Sequence, residues 1–286
     1  MFFQRKSFAH LIFCSLLFGI LGLFAFPQVS MAGKFKAGTE VKVDQVQQED
    51  LYIAAGKIAI NAKAANDLIL AGGEVKVLDS VGADLMVSGG EVLVKGNVGD
   101  DIRIFGGEVR IKGNVGDDLL VFGGEVKVGP NATINGMLKA YGGAVKLRGT
   151  VKGEVDISGG DFEHEGRVEG KLTLRTGRAA LAGTVMGQSR LAARVLHVKK
   201  GATFHQDVHY WRRKGEMDLS PYMKGGEAEL DPALKHKVMG DVGWTVLLFG
   251  FWLAWLIYIL SGALILFLLN FFLTRSFKRA GIAMEH

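Results

Sequence analysis

Apolar and polar positions repeat with a period of 17 residues through most of the chain. The motif Gly-Gly-Glu-Val marks four successive copies, which begin at Gly72, Gly89, Gly106 and Gly123. Further copies begin at Gly142 and Gly159, and the 19-residue interval before Gly142 has two extra residues near Pro130-Asn131, a natural turn. Steps of 17 residues toward both ends of the chain extend the pattern to about ten copies between residues 38 and 210, which indicates a repeat protein.

Within each copy, apolar side chains occupy two pairs of positions, and the members of each pair lie two residues apart. In the copy that begins at Gly72, one pair is Val75 and Val77 and the other is Leu85 and Val87. This alternation and the preference for β-branched residues are typical of half-buried strands. Because one copy cannot bury its apolar face alone, stacked copies must share a core.

The pattern therefore predicts an all-β fold, a single-stranded β-solenoid (β-helix) of about ten 17-residue coils, which at ~4.8 Å per coil is a rod of roughly 48 Å. We expect Val75, Val92 and Val109 to lie in adjacent rungs and to point into a common interior. A left-handed hexapeptide helix does not fit, because its apolar residues recur about every six positions, as these do not. Helical repeats are excluded because the double glycines interrupt any apolar pattern with the i, i+3, i+4, i+7 spacing of a helix.

We predict three short strands and three corners in each coil, with the Gly-Gly pair at one corner because positive φ is inexpensive for glycine alone. A second corner is predicted at another glycine column, which comprises Gly96, Gly113, Gly149, Gly166 and Gly183. The predicted structural glycines of the first corner are Gly72, Gly73, Gly89, Gly90, Gly106, Gly107, Gly123, Gly124, Gly142 and Gly143.

Residues 1–32 are typical of a signal peptide. Arg5 and Lys6 precede an apolar stretch at residues 11–26, and Ser30-Met31-Ala32 resembles a signal-peptidase site, which predicts cleavage after Ala32. An uncleaved signal anchor is the alternative, because the uncharged stretch is long for a signal peptide. The single cysteine, Cys14, lies in this stretch, so neither a disulfide framework nor a cysteine-based zinc site is expected.

Residues 242–274 form a second uncharged segment, which predicts one transmembrane α-helix. Its 33 residues would span about 50 Å as a helix, enough for one tilted crossing and too short for two. Residues 275–286 then form a basic tail that favours a cytoplasmic C-terminus. Residues 211–241 lack the repeat and contain Pro221 and Pro232, so we interpret them as a cap followed by a juxtamembrane linker.

The net charge of +5 comes mostly from the two ends of the chain, because the residues between them carry 29 basic and 28 acidic side chains. A near-neutral body argues against a nucleic-acid partner. Within the solenoid, residues 167–214 carry 11 basic and 2 acidic residues. We expect this basic end, from Arg167 to Lys214, to face anionic lipid or an anionic envelope polysaccharide.

Two sets of outward residues and one inward histidine are candidates for functional sites. Glutamates such as Glu74, with lysines such as Lys76 two residues later, indicate a charge-balanced solvated face. A column of aspartates favours hydrogen bonds to local backbone N–H groups over a divalent-cation ladder, and it comprises Asp50, Asp67, Asp84, Asp101 and Asp118. His164 is predicted to be a core histidine with a backbone hydrogen-bond partner, and no catalytic residue, cofactor or metal site is predicted.

Successive copies such as GGEVRIKGNVGDDLLVF resemble the bactofilins, a family of polymer-forming cytoskeletal proteins. The resemblance covers residues 38–210 and rests on the 17-residue period and the V-x-[VI] and VGDDL patterns. It implies a solenoid that polymerises end to end without nucleotide. The predicted signal peptide and transmembrane segment place the chain with an exported, membrane-anchored branch, as a short or truncated member.

These observations favour a non-enzymatic scaffold of the cell envelope. A single transmembrane pass would anchor it in the bacterial inner membrane, with the solenoid outside the cytoplasm. The solenoid would associate with further copies into a homo-oligomer or polymer. The alternative is an extracytoplasmic binding module for polysaccharide or divalent cations. A glycan-cleaving enzyme is disfavoured because the carboxylates repeat, whereas catalysis requires a singular constellation of residues.

Overall fold

The computed structural model describes residues 33–235 and shows an all-β solenoid of stacked coils. The long strands are β1 (Gly33–Val43), β2 (Asp50–Ile60), β3 (Leu68–Val77), β4 (Leu85–Val94), β5 (Ile102–Ile111), β6 (Leu119–Val128), β8 (Leu138–Leu147), β10 (Val155–His164), β12 (Leu172–Leu181) and β14 (Ser189–Val198). The short strands are β7 (Thr133–Ile134), β9 (Thr150–Val151), β11 (Arg167–Val168), β13 (Thr184–Val185), β15 (Thr203–Phe204), β16 (Val208–Trp211) and β17 (Ala228–Leu230). Two 3₁₀ turns span Ser220–Tyr222 and Pro232–Lys235.

The strands form two parallel sheets that run along the solenoid. Twelve strands pair in the order β1-β2-β3-β4-β5-β6-β8-β10-β12-β14-β16-β17, and five pair in the order β15-β13-β11-β9-β7. Val75 pairs with Val92, and Val92 pairs with Val109, so the three valines lie in adjacent rungs as predicted. All three are buried in one continuous apolar core, and the predicted β-solenoid is thereby confirmed.

The Gly-Gly pairs do not separate strands, which corrects the predicted three-strand coil. Gly72-Gly73 lies in the middle of β3, and the side chains on either side of it, Leu70 and Val75, are both buried. The chain therefore turns at the glycines while the parallel ladder continues through them. Each coil consists of one long strand and one short bridging element, not three short strands.

The physical reason for these glycines also differs from the one predicted. Among the described residues, the glycines with positive φ are Gly201, Gly215 and Gly226, and none of them belongs to the Gly-Gly pairs predicted for the first corner. A Cβ on Gly72 would instead lie 2.7 Å from the carbonyl oxygen of Ala55 in the coil below. Glycine is required here because consecutive rungs approach closely.

The last coil contains a second insertion that the sequence analysis missed. Val185 pairs with Phe204, and Ser189 pairs with Val208, at intervals of 19 residues. The two extra residues form a turn at Lys200-Gly201, the counterpart of the predicted turn at Pro130-Asn131. A step of 17 from the buried Ser189 would put Gln206 in an inward position, whereas the structure leaves Gln206 exposed and buries Phe204 and Tyr210.

The predicted signal peptide at residues 1–32 and the predicted transmembrane helix at residues 242–274 lie outside the described residues. Between Gly33 and Lys235, no helix has the length and apolar character needed to cross a membrane.

Candidate functional site

The aspartate column forms a ladder of hydrogen bonds between coils. The backbone N–H of Asp101 donates to Oδ1 of Asp84 at 3.1 Å, and the N–H of Asp118 donates to Oδ1 of Asp101 at 3.0 Å. Asp67 accepts the N–H of Asp84 at 3.1 Å in the same way, and Asp50 lies at the start of this column. Asp67, Asp84 and Asp101 therefore satisfy backbone donors of the next coil, 17 residues away, and not the local N–H groups that were expected from the sequence.

Carboxylate oxygens of Asp100, Asp101 and Asp117 lie within 4.8 Å of one another. Partial desolvation, followed by the neighbouring carboxylates of Asp101, Asp84 and Asp117, raises the pKa of Asp100. Asp101 is already engaged, because its Oδ1 accepts the Asp118 N–H and its Oδ2 accepts Nη2 of Arg103 at 2.6 Å. The geometry therefore supports a structural role for Asp101 better than cation binding.

Substitution at Asp118 tests whether these aspartates stabilise the solenoid through hydrogen bonds or through charge. Its Oδ1 accepts the N–H of Met137 at 2.6 Å, so Asp118→Ala is expected to lower the free energy of unfolding by about 1 kcal/mol. Asp118→Asn keeps an acceptor oxygen and is expected to retain the wild-type stability. Urea unfolding followed by circular dichroism measures both variants. Equal losses for alanine and asparagine would assign the effect to the carboxylate charge and contradict the hydrogen-bond role.

The glutamate and basic columns pair within several of the coils. Lys42 Nζ lies 3.0 Å from a carboxylate oxygen of Glu40, and Lys127 Nζ lies 2.8 Å from that of Glu125. A hydrogen bond from Lys76 holds the pKa of Glu74 below its ordinary value. The predicted charge-balanced face is present, and such exposed pairs contribute little to stability.

The basic end is partly neutralised by acidic residues of the coils on which it rests. Arg175 Nη2 lies 2.5 Å from Asp156, and Arg178 Nη2 lies 2.6 Å from Asp161. The positive residues at the tip of the solenoid are Lys199, Lys200, Arg213 and Lys214, all of which are exposed. Their contact with anionic lipid or polysaccharide stays a prediction.

His164 is buried in β10, as predicted for a core histidine. Neither ring nitrogen has a hydrogen-bond partner among residues 33–235, which corrects the predicted backbone partner, and burial lowers the pKa of His164 to about 4. Leu147 and Leu181 occupy the same position in the adjacent rungs, so the imidazole replaces a leucine in an apolar column. His164 is therefore a neutral packing residue at physiological pH.

A stack of aromatic rings on the outer surface was missed by the sequence analysis. Phe105 and Phe122 have ring centroids 5.0 Å apart, and Phe122 and Tyr141 are 4.8 Å apart, with the rings nearly parallel. Both faces of Phe122 are thereby covered, so the stack presents ring edges outward. The signal in the sequence is one outward position that is aromatic in three successive copies.

The C-terminal end of the solenoid is covered by the segment that follows the repeat. Strand β17 pairs with β16 and extends the large sheet. Leu219 and Leu234 are buried against the last coils, and the hydroxyl of Tyr222 donates to the carbonyl oxygen of Val198 at 3.1 Å. These contacts cover the end of the core, and β16 pairs with residues 189–192 of β14, whereas Val195 of β14 stays exposed.

The N-terminal end is different, because β1 is the terminal strand of the sheet. Within residues 33–235, no strand pairs with its outer edge. Phe35 is 67% exposed, and Lys34 and Lys36 stand in register with the buried Leu51 and Ile53 of β2. An 11-residue strand with unpaired backbone groups is a surface on which another strand can pair.

Comparisons of this chain with known protein families, with curated proteins and with solved structures find no match.

Proposed function

We propose that the protein is a non-enzymatic, membrane-anchored β-solenoid scaffold of the cell envelope, which associates with a second copy through the N-terminal end of its solenoid. The difference between the two ends carries this proposal. The C-terminal end of the core is covered by residues 211–235, and the sheet ends there in β17, a strand of three residues. At the other end, β1 has an unpaired edge of eleven residues among the described residues. One long free strand per molecule favours a discrete dimer over an open filament.

The residues of β1 restrict how two copies can pair. Lys34 and Lys36 stand where the next coil has the buried Leu51 and Ile53, and inward lysines at an edge oppose indiscriminate strand addition. In an antiparallel β1–β1 pair centred on Gly38, Lys36 of one copy lies opposite Glu40 of the other, because each is two residues from the centre. This pairing offsets the lysine charge and buries Val41, which is only partly covered in one copy.

The anchoring part of the proposal is supported by the sequence. The predicted signal peptide and the uncharged segment at residues 242–274 are consistent with a solenoid outside the cytoplasm of a bacterium and a single pass through its inner membrane. The basic end from Arg167 to Lys214 would then lie nearest the membrane, where it would meet anionic headgroups. The resemblance to bactofilins supports the scaffold role.

The dimer proposal is tested with the full chain in a nonionic detergent. Val41→Lys adds a charge at the edge and is expected to weaken dimerisation at least about tenfold, as measured by analytical ultracentrifugation. Val195→Lys makes the same change at an exposed position of β14 and is expected to leave the dimer intact. A wild-type chain that stays monomeric at high concentration, or equal effects of the two variants, would overturn the proposal.

A further inference from the structure

A cleft of about 470 Å³ lies on the outer surface, at the C-terminal ends of the adjacent strands β5, β6 and β8. Its floor is formed by Ile111, Val128 and the Gly129-Pro130 turn. All the charged side chains that line it are basic, and they are Arg110, Lys112, Lys127, Lys146 and Arg148. The pairing of Ile111 with Val128 and of Val128 with Leu147 shows that three consecutive rungs contribute to the cleft.

The gap in the cleft lies at Gly129, directly before the turn at Pro130-Asn131. Lys112 and Arg148 occupy the same position of their coils, and Gly129 occupies this position in the coil between them. The backbone N–H of Gly129 donates to Ile111 O at 2.8 Å, and a Cβ on Gly129 would lie 3.7 Å from Cγ of Lys112. A missing side chain therefore leaves a gap between two cations that are two rungs, or about 10 Å, apart.

The cations of the cleft keep free donors although several of them form ion pairs. Lys127 pairs with Glu108 and Glu125, and Lys146 pairs with Glu163; Arg110 likewise pairs with Glu108. Arg148 binds Glu165 through Nε at 2.8 Å, which leaves its two terminal nitrogens available.

Lys112 is exposed, and it forms no ion pair with any residue from Gly33 to Lys235. The glutamates of these pairs stand outside the cleft, because none of them lines it. A ligand in the gap would meet donors from opposite walls, from Lys112 on one side and from Arg148 on the other.

We propose that this cleft binds a small polyanion of the phosphate class. Arginine and lysine donors suit phosphate oxygens, and guanidinium nitrogens bind two oxygens at once. A ligand with two linked phosphate groups can contact Lys112 and Arg148 together across Gly129. This site is separate from the aspartate column, from the basic end and from the N-terminal edge, so the inference does not depend on the scaffold proposal.

Equilibrium dialysis of the full chain in nonionic detergent with radiolabelled pyrophosphate tests the proposal at constant ionic strength. Saturable binding is expected, and Lys112→Met and Arg148→Met are each expected to raise the Kd about tenfold. Lys57→Met is the control, because Lys57 is an exposed lysine of β2 that lies outside the cleft. It removes the same charge and is expected to change the Kd less than about twofold.

Two results would overturn the proposal. One is the absence of saturable binding to the wild-type chain. The other is an equal loss of binding in Lys57→Met, Lys112→Met and Arg148→Met, which would indicate non-specific attraction to the solenoid surface. Circular dichroism melting of each variant shows whether a loss of binding reflects the lost cation or a loss of fold.

Discussion

Replacement of Gly116 by alanine is expected to lower the free energy of unfolding by about 4 kcal/mol, a loss at the upper end for single substitutions. An added Cβ would lie 1.8 Å from the carbonyl oxygen of Gly99 and 2.4 Å from its carbonyl carbon. Both atoms belong to the backbone of the adjacent coil, so no side-chain rotation can relieve the clash. The two coils would have to separate, and the ladder on either side would lose its register.

Urea unfolding of the purified chain, followed by far-ultraviolet circular dichroism, measures this loss. Gly38→Ala is the matched control, because a Cβ on Gly38 would have its nearest neighbour at 3.6 Å, an ordinary contact. We expect that variant to unfold like the wild type. A Gly116→Ala chain as stable as Gly38→Ala would show that the coils are further apart than the structure places them.

His164→Leu is expected to stabilise the solenoid and to remove part of its sensitivity to acid. Within the described part of the chain the imidazole has no hydrogen-bond partner, and the adjacent rungs of its column have Leu147 and Leu181. Leucine therefore fits the space and leaves no polar atom unsatisfied. Phe162 stacks beside the ring at a centroid distance of 6.2 Å and completes an apolar surrounding.

The direction of the pH effect follows from the pKa of His164. Burial lowers this pKa from 6.5 to about 4. Between these two pH values the unfolded chain therefore binds a proton at His164 that the folded chain does not bind. The wild-type free energy of unfolding should therefore fall as the pH drops below 6.5, by up to about 3 kcal/mol near pH 4. Carboxylates with lowered pKa values, such as Glu74, add their own losses only below about pH 4.5.

Unfolding free energies at pH 7 and pH 5 for wild type and His164→Leu measure the effect. The difference between the two pH values should shrink in the variant. His197→Leu removes an exposed histidine of β14 and should keep the wild-type acid dependence. If His164→Leu loses stability in acid as steeply as the wild type, His164 is not the group responsible.

The sequence predicted well those features that depend on one coil lying over the next. The 17-residue period placed Val75, Val92 and Val109 in adjacent rungs, and the structure pairs them in that order. The turn at Pro130-Asn131 was found because the flanking copies are strongly conserved in pattern. The turn at Lys200-Gly201 was missed because the last copies have lost the glycines that mark the register.

The glycines show how a residue type can be predicted for the wrong reason. Glycine is compatible with positive φ and equally with close approach of two backbones, and a sequence does not distinguish these. At Gly72 the structure shows close approach to Ala55, with the chain continuing as a strand. Likewise, the column of Asp84 and Asp101 was compatible with a cation ladder until the hydrogen bonds between coils favoured a structural role.

By itself, the sequence determined that this protein is a stacked β-solenoid, because side chains that recur at one position of every coil must meet in one core. Tertiary structure alone decided which surfaces are left for partners. The cover of β17 over the last coil, the free edge of β1 and the gap at Gly129 each depend on residues far apart in the chain. The 17-residue period predicts the contacts that successive coils have in common, whereas these three surfaces lie where one coil differs from its neighbours.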